Sequence, residues 1–309
     1  MSTAVLEKRK TAKMSENPFS PNPDLLVWLG TGLVPAEEAR ISVFDHGLLY
    51  GDGVFEGIRI YHGRIFKETE HIRRLFESAK ALRLEIPMTP EEVSDAMYQT
   101  MRANHLTGDG YIRLVVTRGV GLLGVSATRA ACPTVFVITD KIALYPHEVY
   151  ERGLHCIIST YARNHPNTVN PRVKSLNYLN NVLAKLEAHD AGANEAIMLN
   201  VEGHVAECTG DNIFVVRNGA VFTPPASEGI LEGITRGVVI ELARKRSIPV
   251  HETVLLRHDL YIANECFATG TAAEIVPITQ IDKRVIGDGR PGPITTRLTQ
   301  DFVAYRATA

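Results

Sequence analysis

The sequence predicts a two-domain protein of mixed α+β and α/β character, and three observations predict it. At 309 residues the chain is longer than one hydrophobic core usually supports. Its strand and helix patterns form two sets on either side of a polar connector that contains Pro146, His147 and Glu148. Its composition, 45% hydrophobic and 22% charged, is that of a globular chain rather than a fibrous or disordered one. The expected division is a flexible tail over 1–24, a small α/β domain over 25–140, the connector over 141–151 and a larger domain over 152–309. A cleft between the two domains is the natural place for a small ligand.

From Val54 to Phe66, apolar residues flank a His62–Gly63 turn, which reads as an antiparallel hairpin. Thr69 then offers an N-cap to a helix over 69–82, whose apolar stripe is Ile72, Leu75, Phe76, Ala79 and Leu82. Thr89-Pro90-Glu91-Glu92 is a capping box with proline at the first helical position, and Val93, Ala96, Met97 and Met101 carry the apolar face to Asn104. Strands are expected over Tyr111–Arg118 and Thr134–Thr139. The second set opens with a strand at Leu154–Thr160. A helix over Asn177–His189 follows, with Leu179, Val182, Leu183 and Leu186 on one face and Gly192 as its stop. Ile197–Val201 and His204–Cys208 flank Glu202–Gly203, and Ile213–Arg217 and Ala220–Thr223 flank Asn218–Gly219, the strongest hairpin signal in the chain. A helix opens at Leu231-Glu232-Gly233-Ile234-Thr235 and runs to Arg246, and near Phe267–Glu274 a strand gives way to a turn rich in small and hydroxyl residues.

Several function classes are disfavoured. A net charge of -2 gives no electrostatic reason to expect nucleic acid or a membrane surface as partner. Cys132, Cys156, Cys208 and Cys266 form no CxxC pair, so no metal site is expected and they read as core thiols in a reducing compartment. No apolar run is long enough to span a bilayer, and the basic Lys8, Arg9, Lys10 and Lys13 are mixed with Glu7 and Glu16 as in a tail rather than a transit peptide. Small-molecule chemistry in the cytoplasm is the expectation.

Taken alone, Lys174 is an ordinary lysine before a helix. Val173, Ser175 and Leu176 flank it, and partial desolvation would lower its pKa toward the neutral nucleophile that attacks a carbonyl. Gly233-Ile234-Thr235, at a helix start, and Gly270-Thr271-Ala272 are turns whose N–H groups and hydroxyls suit a phosphate.

These blocks together carry a resemblance. Phe44-Asp45-His46-Gly47, Tyr50-Gly51-Asp52-Gly53-Val54-Phe55-Glu56-Gly57-Ile58-Arg59, Glu70-His71 with Arg74-Leu75, Lys174 through Leu179, Glu207 through Asn212, Gly233 through Arg236 and Gly270 through Glu274 occur in one order over about 27–305. In this the chain resembles the branched-chain amino acid aminotransferases, within the fold type IV (class IV) enzymes that use pyridoxal 5'-phosphate. The resemblance implies that Lys174 attaches the cofactor and shuttles a proton, and that Glu207 faces the pyridine nitrogen. It further implies that Arg74 holds the phosphate with Gly233, Ile234, Thr235, Gly270 and Thr271, that Tyr178 takes the phenolic oxygen, and that Leu231 packs against the ring. For substrate it implies Phe55, Gly57, Arg59, Tyr111, Arg113, Thr271 and Ala272, with Tyr50 lent by a second copy in a homodimer. Arg113 is the candidate for the distal carboxylate of glutamate, with Arg59 the alternative. Tyr111 and the Thr271-Ala272 backbone would take the α-carboxylate. The implied reaction exchanges the amino group of leucine, isoleucine or valine with 2-oxoglutarate. A D-amino acid aminotransferase or an aminodeoxychorismate lyase, using the same cradle with a different substrate wall, is the alternative, and a non-catalytic binding protein of the same fold is the rival from another class.

Overall fold

The computed structural model describes Asn22, residues 24–142 and residues 144–308; apart from Asn22 and Asp24, the tail expected over 1–24 lies outside them. The first half builds one sheet. A hairpin of β1 (Leu26–Leu29) and β2 (Gly32–Pro35) precedes the short helix α1 (His46–Tyr50) and the long strand β3 (Gly53–Tyr61). Then come β4 (Arg64–Ile65), α2 (Glu68–Ala81), α3 (Pro90–Ala103), β5 (Gly110–Thr117) and β6 (Thr134–Asp140). Pairing is antiparallel throughout in the order β2-β1-β6-β5-β3-β4. The His62–Gly63 turn has φ of 50° and 72°, the paired left-handed geometry that matches strand twist in a two-residue hairpin. Val54, Ile58 and Ile60 of β3 pack with Ile72, Leu75 and Ala79 of α2 and Val93, Ala96 and Met97 of α3. The capping box is formed: Thr89 Oγ1 accepts from Glu92 N at 3.2 Å and the Glu92 carboxylate accepts from Thr89 N at 2.7 Å.

After α4 (His147–Arg152) the second half builds a larger sheet. Its members are β7 (Leu154–Ile158), β8 (Glu195–Leu199), β9 (Val205–Cys208), β10 (Asn212–Arg217), β11 (Ala220–Thr223), β12 (Val250–Glu252), β13 (Glu265–Gly270), β14 (Glu274–Ile281) and β15 (Arg284–Val285). The order is β12-β11-β10-β13-β14-β7-β8-β9, with β15 beside β14, and three pairs (β11·β12, β14·β7 and β7·β8) are parallel. Helices α5 (Leu179–Asp190), α6 (Ile234–Lys245), α7 (Arg257–Tyr261) and α8 (Pro293–Thr308) complete it. Tyr61 and Phe66 from the first half pack into one apolar cluster with Phe214, Phe267 and Phe302 of the second, which ties the two sheets together. Among the described residues no helix is long and apolar enough to cross a membrane.

Three expectations need correction. Helix α2 begins at Glu68, not behind a Thr69 cap: Lys67 occupies the cap position at φ 53° with no side-chain capping bond, and the Glu68 carboxylate accepts from Ser94 and Tyr98 of α3. On α5 the apolar face points outward, with Leu179 71% and Leu186 53% exposed. Small Ala184 and Ala188 let that helix sit close on Ala196 and Met198, and Asn181 faces inward because its amide donates to the Thr209 carbonyl at 2.7 Å. Cys132 is exposed rather than in the core, since it sits at φ 59° in the loop entering β6, whereas Cys156, Cys208 and Cys266 are buried.

Candidate active site

Strands β3 and β5 supply one wall of a cavity of about 490 Å³. In their register Phe55 faces Val115 and Gly57 faces Arg113, so these side chains emerge on one face of the sheet. Gly57 has no side chain for a physical reason: a Cβ there would lie 2.0 Å from the Tyr111 hydroxyl. That hydroxyl accepts from Arg113 Nη2 at 3.2 Å, and the Arg113 guanidinium stands 4.6 Å from the centre of the Phe55 ring.

The segment before α5 runs beside the start of β3. Phe55 N donates to the Lys174 carbonyl at 3.0 Å and Leu176 N to the Gly53 carbonyl at 2.9 Å, while Lys174 N donates to Ser78 Oγ at 3.2 Å. Lys174 is thereby fixed with its amine 3.2 Å from Tyr178 Oη and 4.6 Å from the centre of the Phe55 ring. The apolar surroundings expected from its sequence neighbours come chiefly from these two rings, one from each half of the chain.

Helix α6 opens into the same cavity. Gly233, its N-cap, offers no capping side chain and the first turn holds no acid, so the first N–H groups have no partner within the helix. Asn212 Nδ2 donates to the Leu231 carbonyl at 2.8 Å and to Glu207 Oε2 at 3.0 Å, and Leu231 N donates to the same oxygen at 3.0 Å. Arg163 Nε donates to Glu207 Oε1 at 2.8 Å. Burial pushes the Glu207 carboxyl up, and the adjacent Arg163 charge opposes that rise.

Facing α6 is the turn after β13. A Cβ on Gly270 would meet Asp211 Oδ1 at 1.7 Å and one on Gly233 would meet Asn212 Oδ1 at 2.0 Å, so both glycines keep the cavity floor open. Thr269 Oγ1 is buried there with no partner among the described residues. Every residue expected at the site lines this cavity except two: Phe55, Gly57, Arg74, Tyr111, Arg113, Lys174, Tyr178, Glu207, Leu231, Gly233, Ile234, Thr235, Gly270, Thr271 and Ala272 are brought together. Arg59 is the correction. Its Nη2 donates to Glu274 Oε1 at 2.9 Å and its Nη1 to the Ile142 carbonyl at 3.3 Å, which draws it out of the wall. Tyr50 is also away from this chain's own cavity, its hydroxyl accepting from Gly124 N at 2.7 Å.

Sequence reasoning misses a polar cluster on the far side. Lys185, Glu195, Tyr145, Thr209 and Asp211 also line the cavity. Glu195 accepts from Thr209 N and Tyr145 Oη at 3.1 Å each, and from Lys185 Nζ at 2.5 Å. Asp211 has no donor on its carboxylate among the described residues, and burial together with the charge of Glu195 pushes it up to about 7. Thr209, Asp211 and Asn212 stand in the recognised block from Glu207 to Asn212, though without an assigned role, and nothing local in the sequence marks Arg163 or Glu195. A larger groove of about 1030 Å³ lies between α2 and α3, and it contains none of this chemistry.

The lining fits a phosphorylated aldehyde cofactor: it offers a lysine amine, a guanidinium, a helix start whose first N–H groups have no partner within the helix, and a buried carboxylate. Comparison with known proteins agrees. Residues 53–281 match the amino-transferase class IV family. A Methanocaldococcus jannaschii protein, provisionally named a branched-chain-amino-acid aminotransferase, is 51% identical over 280 residues, which are 91% of this chain and 96% of that one. The branched-chain-amino-acid aminotransferase of Escherichia coli K12 is 38% identical over 89% of this chain and 91% of its own. Among solved structures, the T.th. branched-chain amino acid aminotransferase with pyridoxamine 5'-phosphate superposes at a TM-score of 0.88 with 40% identity, over 93% of this chain and 95% of that one. The same T.th. protein is described in complex with N-(5'-phosphopyridoxyl)-L-glutamate and with 4-methylvaleric acid.

Proposed function

This chain belongs to the class IV aminotransferases, and from that premise we propose that it transfers the amino group of leucine, isoleucine or valine to 2-oxoglutarate. The observation that carries the reading is a single aromatic ring, Phe55, with the Lys174 amine and the Arg113 guanidinium each 4.6 Å from its centre. One cavity thus offers apolar surface, a nucleophilic amine and a fixed cation. That combination suits a site that must take an aliphatic side chain in one half-reaction and a second carboxylate in the other. The two ligands of the T.th. protein, one glutamate-derived and one an apolar acid, support this reading.

Pyridoxal 5'-phosphate supplies the carbonyl that the substrate amine attacks and a ring that draws electrons from the substrate's Cα. The chain's own residues do the rest. Lys174 Nζ would hold the cofactor and, once free, carry the proton from the substrate's Cα to C4′ of the cofactor, with Tyr178 Oη at 3.2 Å steadying the amine. Ile234 and Thr235 at the N-terminus of α6 hold the phosphate with Arg74 and Thr271. Glu207, gripped by Arg163, Asn212 and the Leu231 N–H, presents a fixed carboxylate to the pyridine nitrogen. Leu231, which lines the cavity, would pack against the ring. Tyr111 and the Thr271-Ala272 backbone take the α-carboxylate, and Arg113 the distal one.

The assembly proposed with this activity is a homodimer in the cytoplasm. Phe44, Leu48, Leu122 and Leu123 are at least 50% exposed in the single chain, around the loop that Tyr50 joins. A second copy covering them would bring its Tyr50 to this cavity. A substrate panel tests the activity: leucine, isoleucine and valine should each give glutamate from 2-oxoglutarate, and D-alanine and aminodeoxychorismate should give no product. Turnover of D-alanine in preference to leucine would reject the reading.

A further inference from the structure

Strand β3 shows two faces. Phe55 and Gly57 look into the cavity, while Val54, Ile58 and Ile60 look into the core beneath α2. Glu56 shares the core face and is fully buried, where an apolar residue would pack at no electrostatic cost. Its carboxylate is completely engaged. Oε1 accepts from Arg74 Nε at 2.7 Å, and Oε2 accepts from Arg74 Nη2 at 2.7 Å and from His71 Nδ1 at 2.7 Å. Burial alone would raise this carboxyl, but the charge and hydrogen bonds of Arg74, with those of His71, hold it at about 2. His71 is fully buried too, burial holds its pKa below the usual histidine value, and its Nδ1–H donates to the carboxylate. Its Nε2 is buried without a partner among the described residues.

Arg74 is therefore held along one edge of its guanidinium. A third N–H, on Nη1, donates to the Glu232 carbonyl at 3.0 Å, one residue before the cap of α6. Of the five N–H groups that an arginine carries, one on Nη1 and one on Nη2 are left over. Arg74 lines the same cavity as Ile234 and Thr235. The free edge and the unpartnered N–H groups of the helix start thus converge on one region.

We propose that Glu56 is a positioning residue for the cofactor phosphate, acting through Arg74: it fixes the guanidinium so that its remaining N–H groups face the phosphate beside the start of α6, and His71 completes the carboxylate's own coordination. The proposal rests on the reading of Arg74 and α6 as the phosphate site. Its physical content is preorganisation, because an arginine already locked in place loses little rotamer freedom when it grips an anion. It also has a definite sign. Glu56 cancels the charge of Arg74, so if attraction at a distance ruled, removing the carboxylate would tighten phosphate binding. If orientation rules, removing it weakens binding.

The test uses the full chain freed of cofactor, titrated separately with pyridoxal 5'-phosphate and with pyridoxal, which lacks the phosphate, and followed by absorbance. Wild type should prefer the phosphorylated form. Glu56→Gln, which keeps the size of the side chain, and Glu56→Asp, which keeps its charge but shortens its reach, should each weaken pyridoxal 5'-phosphate binding by roughly tenfold, the order expected for one charge-assisted hydrogen bond. Pyridoxal binding should change by less than about twofold, because the phosphate contact is the only one Glu56 acts on. Equal weakening of both compounds would make Glu56 a structural residue and overturn the proposal, as would unchanged or tighter binding of the phosphorylated form. Should the glutamine variant fail to fold, the aspartate variant gives the same comparison. A wild type with no preference for the phosphorylated compound would instead reject the phosphate site itself, and the proposal with it.

Discussion

Replacing Arg113 by methionine separates the two kinds of substrate that this cavity is proposed to hold. Methionine keeps an unbranched apolar stem against Phe55, from which the guanidinium now stands 4.6 Å, and removes the donor that reaches Tyr111 Oη at 3.2 Å. A leucine side chain would meet an apolar wall before and after the change. The distal carboxylate of glutamate would lose its cation, and Arg59 cannot replace it while Glu274 holds Arg59 at 2.9 Å. A lost charge-assisted hydrogen bond is worth about 1.5–3 kcal/mol, so kcat/KM for glutamate and 2-oxoglutarate should fall by roughly 10- to 150-fold. Stopped-flow half-reactions with leucine and with glutamate measure the two arms independently. Leucine should stay within about threefold of wild type, since an apolar pocket change of under a methylene is worth less than about 1 kcal/mol. Equal losses in both arms would show that Arg113 shapes the whole site and does not select the second carboxylate.

Lys174→Ala should leave no covalently attached cofactor after borohydride reduction and nearly abolish turnover; a reduced adduct mapped by mass spectrometry to another lysine would refute the assignment. Gly57→Ala should place its Cβ in the space of the Tyr111 hydroxyl, 2.0 Å away, and lower the unfolding free energy by about 1–3 kcal/mol through overpacking. Adding Tyr111→Phe should restore part of that loss in denaturant titrations, and no restoration would mean that the clash lies elsewhere. Asp211 gives a pH prediction. Its folded pKa, about 7, lies above its usual value of 3.8, so the folded state binds the proton more tightly. Stability that is fully present below 3.8 is therefore lost as pH rises through about 7. Asp211→Asn should be stabilised relative to wild type by an amount that grows between about pH 4 and 7, to at most about 4 kcal/mol by linkage, and is flat above about pH 8. A difference between the two proteins that does not change with pH would refute the buried, unpartnered carboxyl.

What can be read from the sequence is what depends on neighbours along the chain. The Thr89–Glu92 capping box and the His62–Gly63 and Asn218–Gly219 turns are complete within four residues, and they form as expected. The start of α2 escapes a local reading because Glu68 finds Ser94 and Tyr98, partners some 26 to 30 residues away that no local pattern reveals. The outward face of α5 escapes it for the opposite reason. Apolar spacing gives a face but not its direction, and close packing through Ala184 and Ala188 chooses the other one. Helix α8 has no counterpart in the sequence expectations, and its Arg306 helps Arg59 and Tyr61 grip Glu274.

The candidate site shows the same division at the level of chemistry. Arg59 and Arg113 have similar standing in the sequence, since each lies two residues after a small or aromatic residue, Gly57 or Tyr111, on paired strands whose alternation points them to one side. Only the fold distinguishes them. Glu274 lies 215 residues from Arg59 and claims it, whereas no carboxylate claims Arg113 among the described residues, and it stays in the cavity with Tyr111 and Phe55. A cation already neutralised by a protein carboxylate gains little from a second one, and a cation without such a partner is available to a ligand. The same rule read in reverse explains why Glu56 matters at Arg74. There the protein carboxylate occupies only one edge of the guanidinium and leaves two other donors unspent, so pairing fixes the direction of the cation without using up its capacity to bind.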